Sequence, residues 1–161
     1  MAKFKMADFY YGSVLSMLFN NNIRNNIRPA LVEGDDDRRV YDLTTNDGSY
    51  KLFIKYRGKR HYSVNSGYRS WQFTFTSKDI NEIFEYINNQ HNLLLALVCG
   101  EKRLKDSELA VLNRDDIIKC GLGNGRTSLT ISRVKNEKAF RISTGGGREN
   151  AIKIPSSRLL D

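Results

Sequence analysis

The stretch between residues 38 and 71 carries most of the side chains that could do chemistry. Basic and aromatic residues alternate through a loop predicted from Arg57 to Ser70. Cations neutralise phosphates and exposed rings stack on bases, so the mixture is typical of proteins that hold single strands or distorted duplexes. A merely soluble, mobile loop is the alternative. The candidate nucleic-acid contacts are Lys55, Arg57, Lys59, Arg60, Tyr62, Arg69 and Trp71.

An acid and an amine lie on the two strands that lead into this loop. Asp42 belongs to a strand predicted over residues 39–44, and Lys55 belongs to one predicted over residues 50–56. The Asn46-Asp47-Gly48 sequence between them is a strong hairpin-turn signal. Two polar side chains of opposite charge are therefore predicted on paired strands.

The charge balance favours an anionic partner. The chain has 161 residues, with 26 Lys and Arg against 18 Asp and Glu, and a net charge of +8. This excess favours nucleic acid ahead of a membrane surface. No apolar run reaches the length of a membrane span, and the apolar stretch near the N-terminus is too short for a signal peptide. We therefore expect a cytoplasmic protein with no membrane partner.

The remaining elements predict a mixed α/β domain. Periodic apolar residues predict helices over residues 7–24 and from Ser77 to about Asn88, and Asn113 is predicted to cap a short third helix. The apolar run from Asn92 to Cys99 is typical of a strand buried on both faces. We expect a single mixed central sheet, an antiparallel meander plus this buried strand, flanked by helices. Residues 1–154 are expected to form one domain and residues 155–161 a tail.

Two short motifs carry a resemblance. Tyr41-Asp42-Leu43 and Leu52-Phe53-Ile54-Lys55 stand in an order of helix, acid-bearing strand, lysine-bearing strand, helix and buried strand. Over residues 7–118 this resembles the PD-(D/E)XK superfamily, which includes restriction endonucleases and archaeal Holliday-junction resolvases. The resemblance implies a restriction-endonuclease-like core and Mg²⁺-dependent phosphodiester hydrolysis. It implies that Asp42 and Lys55 are catalytic, Asp42 as a metal ligand and Lys55 at the phosphate or the attacking water.

Phe53 departs from that superfamily's pattern. A second acid normally stands two residues before the lysine, where both project from one face of the strand, and Phe53 cannot bind a metal. Three explanations stay open. The site has lost activity on a nucleic-acid-binding scaffold, or the resemblance is accidental and Asp42 and Lys55 form a cross-strand ion pair. Otherwise the acid has moved, and the nearest candidate positions are Glu33, Asp47 and Gln72.

Other motifs favour structural roles. Asp35-Asp36-Asp37 is typical of a solvated turn, because calcium loops space their ligands at alternate positions. Neither the glycines of residues 121–125 nor those of 145–147 match a dinucleotide or P-loop motif. Cys99 ends an apolar run and is predicted to be a buried, reduced thiol. A second basic surface is predicted from Arg126, Arg133, Lys135, Arg141 and Arg148.

The sequence therefore predicts a nucleic-acid-binding protein, with DNA favoured over RNA, whose nuclease-like site is altered or inactive. Mg²⁺ is the only cofactor that the resemblance implies, and association into a homodimer is left open. The alternative is an accessory subunit of a DNA-processing or defence system, whose basic face meets another protein.

Overall fold

The computed structural model describes residues 2–21, 26–35, 37–58, 61–62, 67–144 and 150–159. In these residues the helices are α1 (Met6–Asn21), α2 (Ser77–Asn88) and α3 (Arg114–Lys119), with a short 3-10 helix at Leu104–Asp106. The strands are β1 (Arg28–Gly34), β2 (Arg39–Thr45), β3 (Gly48–Arg57), β4 (His61–Tyr62), β5 (Tyr68–Thr74), β6 (Leu93–Cys99), β7 (Glu108–Leu112), β8 (Ser128–Val134), β9 (Ala139–Ile142) and β10 (Ile152–Pro155).

The first sheet contains the predicted hairpin and the predicted buried strand. Its order is β1-β2-β3-β6-β7, and β3 runs parallel to β6 while the other neighbours are antiparallel. Every residue of β6 is buried, which confirms the prediction of a central strand. Leu94, Ala96 and Val98 pack toward α1, and the residues between them pack toward the opposite core, because successive side chains alternate across a strand.

A second sheet covers the face of the first sheet that α1 leaves open. Its order is β10-β9-β8-β5-β4, with every pair antiparallel. Each of its longer strands alternates between apolar and polar residues, so each has one face to bury. Its buried face includes Trp71, Phe73, Leu129, Ile131, Phe140 and Ile142, which share a core with Phe53 and Leu95 of the first sheet.

The mixed α/β class is confirmed, but the prediction of one central sheet is wrong. The rings of Trp71, Phe73 and Phe75 alternate with polar residues and predict a strand over residues 71–76, which is expected to extend the antiparallel meander. In the structure β5 pairs with β8, whose residues lie about 60 positions later, and Trp71 is opposite Ile131. The helix α2 is then left to pack beside this second sheet and against the same core.

The helix ends follow local capping rules. Thr76 caps α2, since its hydroxyl accepts the Asp79 N–H at 3.1 Å and the Asp79 carboxylate accepts the Thr76 N–H at 3.0 Å. The cap lies one residue before the predicted Ser77. Asn113 caps α3 as predicted.

The two cysteines and the chain end also have defined surroundings. Cys99 is buried as predicted, and Cys120 is buried with it; burial raises the pKa of both thiols. In the predicted tail, Arg158 donates hydrogen bonds to the Asp116 carboxylate and to the Val111 carbonyl oxygen. These contacts attach residue 158 to α3 and β7.

Candidate nucleic-acid interface

A polar cleft of about 370 Å³ opens where β3 ends. The chain leaves the end of β3 for the second sheet and α2 before it returns to the parallel strand β6. Two cations, one acid and several neutral polar groups contribute to the walls. The lining residues are Asp37, Lys55, Tyr56, Arg57, Gly58, Gln72, Phe73, Thr74 and Thr76.

Lys55 lies at the inner wall of this cleft and is engaged with an acid. Its Nζ donates to Asp79 Oδ2 at 2.9 Å and stands 5.4 Å from the centre of the Phe75 ring. The residue is only 8 % exposed. A buried ammonium is tolerated only when it is paired, so Asp79 is the group that allows Lys55 to be charged there.

Asp79 belongs to a buried ionic network that joins the first sheet to α2. Arg38 Nη1 donates to Asp79 Oδ1 at 3.0 Å, and Arg38 Nη2 donates to Glu33 at 2.8 Å and to Glu82 at 2.5 Å. Lys78 also donates to Glu33, at 2.8 Å. The members are Glu33, Arg38, Lys55, Lys78, Asp79 and Glu82, three acids and three cations, so their charges balance.

The pKa shifts follow from these contacts. Burial raises the pKa of Asp79, but hydrogen bonds from Lys55 and from the Thr76 N–H outweigh it, and the pKa is lowered overall. Hydrogen bonds from Lys78 and Arg38 lower the pKa of Glu33 to about 2. Both carboxylates are therefore ionised at neutral pH and hold their partners as cations.

Asp42 is in a different ion pair. It lies opposite Lys51 in the β2–β3 register, and Lys51 Nζ is 2.5 Å from Asp42 Oδ1. Asp42 and Lys55 share one face of the sheet, because Lys51 and Lys55 are four residues apart on β3. That spacing also separates the two pairs by about 13 Å along the strand. The structure thus does not bring Asp42 and Lys55 together.

The residues around Asp42 do not fit the Mg²⁺ site that the resemblance implies. Phe53 fills the second-acid position and is fully buried. Across the described ranges, no group of three or more His, Cys, Asp or Glu side chains could hold a metal ion. Of the other candidate positions, Glu33 is in the buried network, Asp47 is exposed in the β2–β3 turn, and Gln72 lines the cleft.

The predicted nucleic-acid contacts other than Lys55 and Trp71 separate into three groups. Arg57 is exposed at the cleft and forms no ion pair with another described residue. Arg69 is paired with Glu101 at 3.1 Å and Glu108 at 2.6 Å, so its charge is already matched. The side chains of Lys59, Arg60 and Tyr62 lie outside the described residues.

Trp71 is not available to a base. The residue is fully buried, and its Nε1 donates to the Gly100 carbonyl oxygen at 2.8 Å. The ring is covered by the core and by the Arg69 guanidinium, which stands 5.6 Å from the ring centre, so Trp71 leaves the set of predicted contacts. Its hydrogen bond instead fixes Gly100 beside the end of β3, where the Gly100 N–H also donates to the Arg57 carbonyl oxygen at 2.8 Å.

Sequence reasoning missed the acid that holds Lys55. Thr76 and Asp79 form a capping pair three residues apart, a pattern that is visible in the sequence. That pattern explains the position of Asp79 but not its partners, since Arg38 is 41 residues away and Lys55 is 24 residues away. Of the triple acid, the Asp35 carboxylate accepts the backbone N–H groups of Asp37 and Arg38 between β1 and β2, and Asp36 lies outside the described residues.

Comparison with family models, with curated proteins and with solved structures finds no match to this chain. None of the helices in the described ranges is long and apolar enough to cross a membrane. The resemblance to PD-(D/E)XK nucleases therefore stays a prediction.

Proposed function

We propose that this protein binds nucleic acid at the cleft beyond β3 and does not cut it. The observation that carries the proposal is Arg57, an exposed cation at the cleft with no acid paired to it among the described residues. The net charge of +8 gives the whole chain an attraction for polyanions. The basic sequence that follows Arg57, with Lys59 and Arg60, adds charge directly after the cleft in the chain.

Neutral polar groups support the same proposal. Gln72, Thr74 and Thr76 line the cleft beside Arg57 and offer hydrogen-bond donors and acceptors to sugars, phosphates and bases. Asp37 is the one acid among the described residues that line the cleft, and it would repel a phosphate placed next to it. The phosphate is therefore assigned to the Arg57 side of the cleft.

The proposal includes no hydrolytic step. Lys55 would have to give up Asp79, and Asp42 would have to give up Lys51, before either could serve a reacting phosphate. Breaking a buried ion pair costs about 3–5 kcal/mol, which disfavours the first of these changes. The reaction that the nuclease resemblance implies has no described set of ligands to support it.

The salt dependence of binding tests this function. Fluorescence anisotropy with labelled single-stranded and duplex oligonucleotides of DNA and of RNA gives Kd at several salt concentrations. Arg57→Ala should weaken binding and reduce the slope of log K against log salt by about 1, the loss of one phosphate contact. Arg114→Ala is the matched control, because it removes an exposed arginine at the start of α3. That helix follows β7, whose last residue pairs near the start of β6, whereas Arg57 pairs with the last residue of β6. The control therefore lies at the other end of the sheet from the cleft. Equal slopes for the two variants would contradict the proposal.

The same oligonucleotides test cleavage. After incubation with Mg²⁺ or Mn²⁺, with and without EDTA, they should remain full length while still forming a complex. Cleavage that is lost both with EDTA and in Asp42→Ala would show an active nuclease and overturn the proposal.

One feature favours the alternative of a protein-binding accessory subunit. Large apolar side chains of α1 and the segment before it face solvent, among them Phe4, Met6, Phe9 and Met17, which are 40–83 % exposed. Exposed apolar groups that lie close together are typical of surfaces that bind other proteins. Failure to bind any oligonucleotide in the assay above would leave this alternative.

A further inference from the structure

The outer face of the second sheet is polar where its inner face is apolar. Trp71 and Phe73 point into the core, so the residues that alternate with them along β5 point outward. The same holds for β8, where Leu129 and Ile131 are in the core. The residues that alternate with the core residues on these two strands are Ser70, Gln72, Thr74, Ser128, Thr130 and Ser132. Ser70 and Ser132 are themselves buried, so Gln72, Thr74, Ser128 and Thr130 form the accessible polar face.

This face continues directly from the cleft. Gln72 and Thr74 line the cleft and are exposed on the sheet. They lie opposite Thr130 and Ser128 in the β5–β8 register, so the polar surface extends onto the next strand without a break. A ligand that enters beside Arg57 would meet the hydroxyl groups of β8 next.

Cations stand at the far side of the same face. Arg141 of β9 lies opposite Ser132, and Lys153 of β10 lies opposite Arg141, so that all three point away from the core. Arg141 is paired with Glu137 at 2.9 Å, whereas Lys153 is exposed. Three strand spacings, about 14 Å, separate β5 from β10. The polar face therefore lies between Arg57 at the cleft and the cations of β9 and β10.

The helices that the structure describes offer no comparable basic surface. The described helix α1 contains Asp8 and no cation, and α2 contains three acids and a single lysine. In α3, Arg114 and Lys119 are balanced by Asp115 and Asp116. Proteins that read a duplex usually insert a helix or a two-stranded ribbon into the major groove, and none of these helices has the charge to do so.

We infer that the ligand is a single strand of nucleic acid, which runs from the cleft beside Arg57 across the outer face of the second sheet toward Lys153. The inference rests on the proposed function and narrows its substrate. Phosphates lie near the cations at the two ends of the path. Between them, the side chains of Gln72, Thr74, Ser128 and Thr130 offer hydrogen bonds to sugars and base edges.

Thr130→Glu tests this path, because it places a carboxylate at the middle of the face. Ser16→Glu is the matched control: it makes the same kind of change at an exposed position of α1, on the far side of the first sheet. Both variants and the wild-type protein are titrated with a labelled single strand and with the duplex of the same sequence, after thermal denaturation has shown that each is folded. If Thr130→Glu does not fold, Lys153→Glu takes its place, with Lys3→Glu as its control.

We expect the wild-type protein to bind the single strand about tenfold more tightly than the duplex. Thr130→Glu should weaken single-strand binding about tenfold through repulsion of the phosphates, and Ser16→Glu by less than about twofold. Equal affinity for duplex and single strand, or equal effects of the two variants, would overturn the inference and leave the proposed function intact. Absence of binding by the wild-type protein would overturn both.

Discussion

Lys55 and Arg57 end the same strand two residues apart, and their surroundings are opposite. Lys55 lies at the inner wall of the cleft, is 8 % exposed, and is held by Asp79 in a network whose charges balance. Arg57 points to the cleft, is exposed, and has no acid paired with it among the described residues. The partner of a cation, more than its position in a motif, therefore decides whether the cation stabilises the fold or is available to a ligand.

The same contrast applies to the two acids of the site. Asp42 is nearly half exposed and its pair with Lys51 lies at the surface, whereas Asp79 is 2 % exposed between two cations. Exposed pairs contribute about 0–1 kcal/mol to stability, but a buried pair that loses one member leaves a charge without compensation. The acid with the larger energetic role is therefore the one outside the nuclease-like motif.

The largest expected effect comes from Asp79→Asn. The amide keeps the size of the side chain and can still accept the Thr76 N–H, but it leaves Lys55 without a counter-charge. We expect the free energy of unfolding to fall by about 3–5 kcal/mol. Urea denaturation measures this free energy. It can be followed by the fluorescence of Trp71, which is the single tryptophan of the chain and is buried.

Asp106→Asn is the control for that experiment. Asp106 forms an exposed pair with Arg103 at 3.5 Å, so its loss should cost less than about 1 kcal/mol. If the two variants lose the same stability, the network around Asp79 does not hold the fold as described.

A smaller effect is expected from Gly100→Ala at the meeting point of the cleft and the core. A Cβ atom at residue 100 would stand 2.7 Å from the Arg57 carbonyl oxygen and 2.8 Å from the Tyr10 hydroxyl. The strand ends would have to separate, at a cost of about 1–3 kcal/mol. Gly12→Ala on the exposed side of α1, where nothing lies within 4 Å, should instead be neutral or slightly stabilising in the same denaturation experiment. Loss of stability in both variants would show that the steric argument is wrong.

Local patterns predicted most elements of the fold. The hairpin of β2 and β3 followed from alternation and the turn at Asn46-Asp47-Gly48, and β6 followed from an apolar run of strand length. The capping signal placed the start of α2 within one residue. These features depend on neighbours in the chain, so a single sequence contains the information.

Long-range pairing was not predictable in the same way. The second sheet depends on β5 meeting β8, and no local pattern states which amphipathic strands pair. The basic loop before Trp71 favours a role in nucleic-acid binding for its ring. Alternation along the strand indicates only that Trp71 and Gln72 point to opposite faces, and not which face is buried. The partner of Lys55 comes from a helix that begins 22 residues later, so the sequence predicted the lysine and not its pair.

The most direct test of the central claim compares the affinities of two variants for one labelled single-stranded oligonucleotide, at a low denaturant concentration and temperature where both are folded. Arg57→Ala should bind more weakly than the wild-type protein, with its stability unchanged. Asp79→Asn should bind as tightly as the wild-type protein, although the midpoint of its unfolding lies at a lower urea concentration. Wild-type affinity in Arg57→Ala, together with lost affinity in folded Asp79→Asn, would contradict the account and assign the ligand to the buried pair.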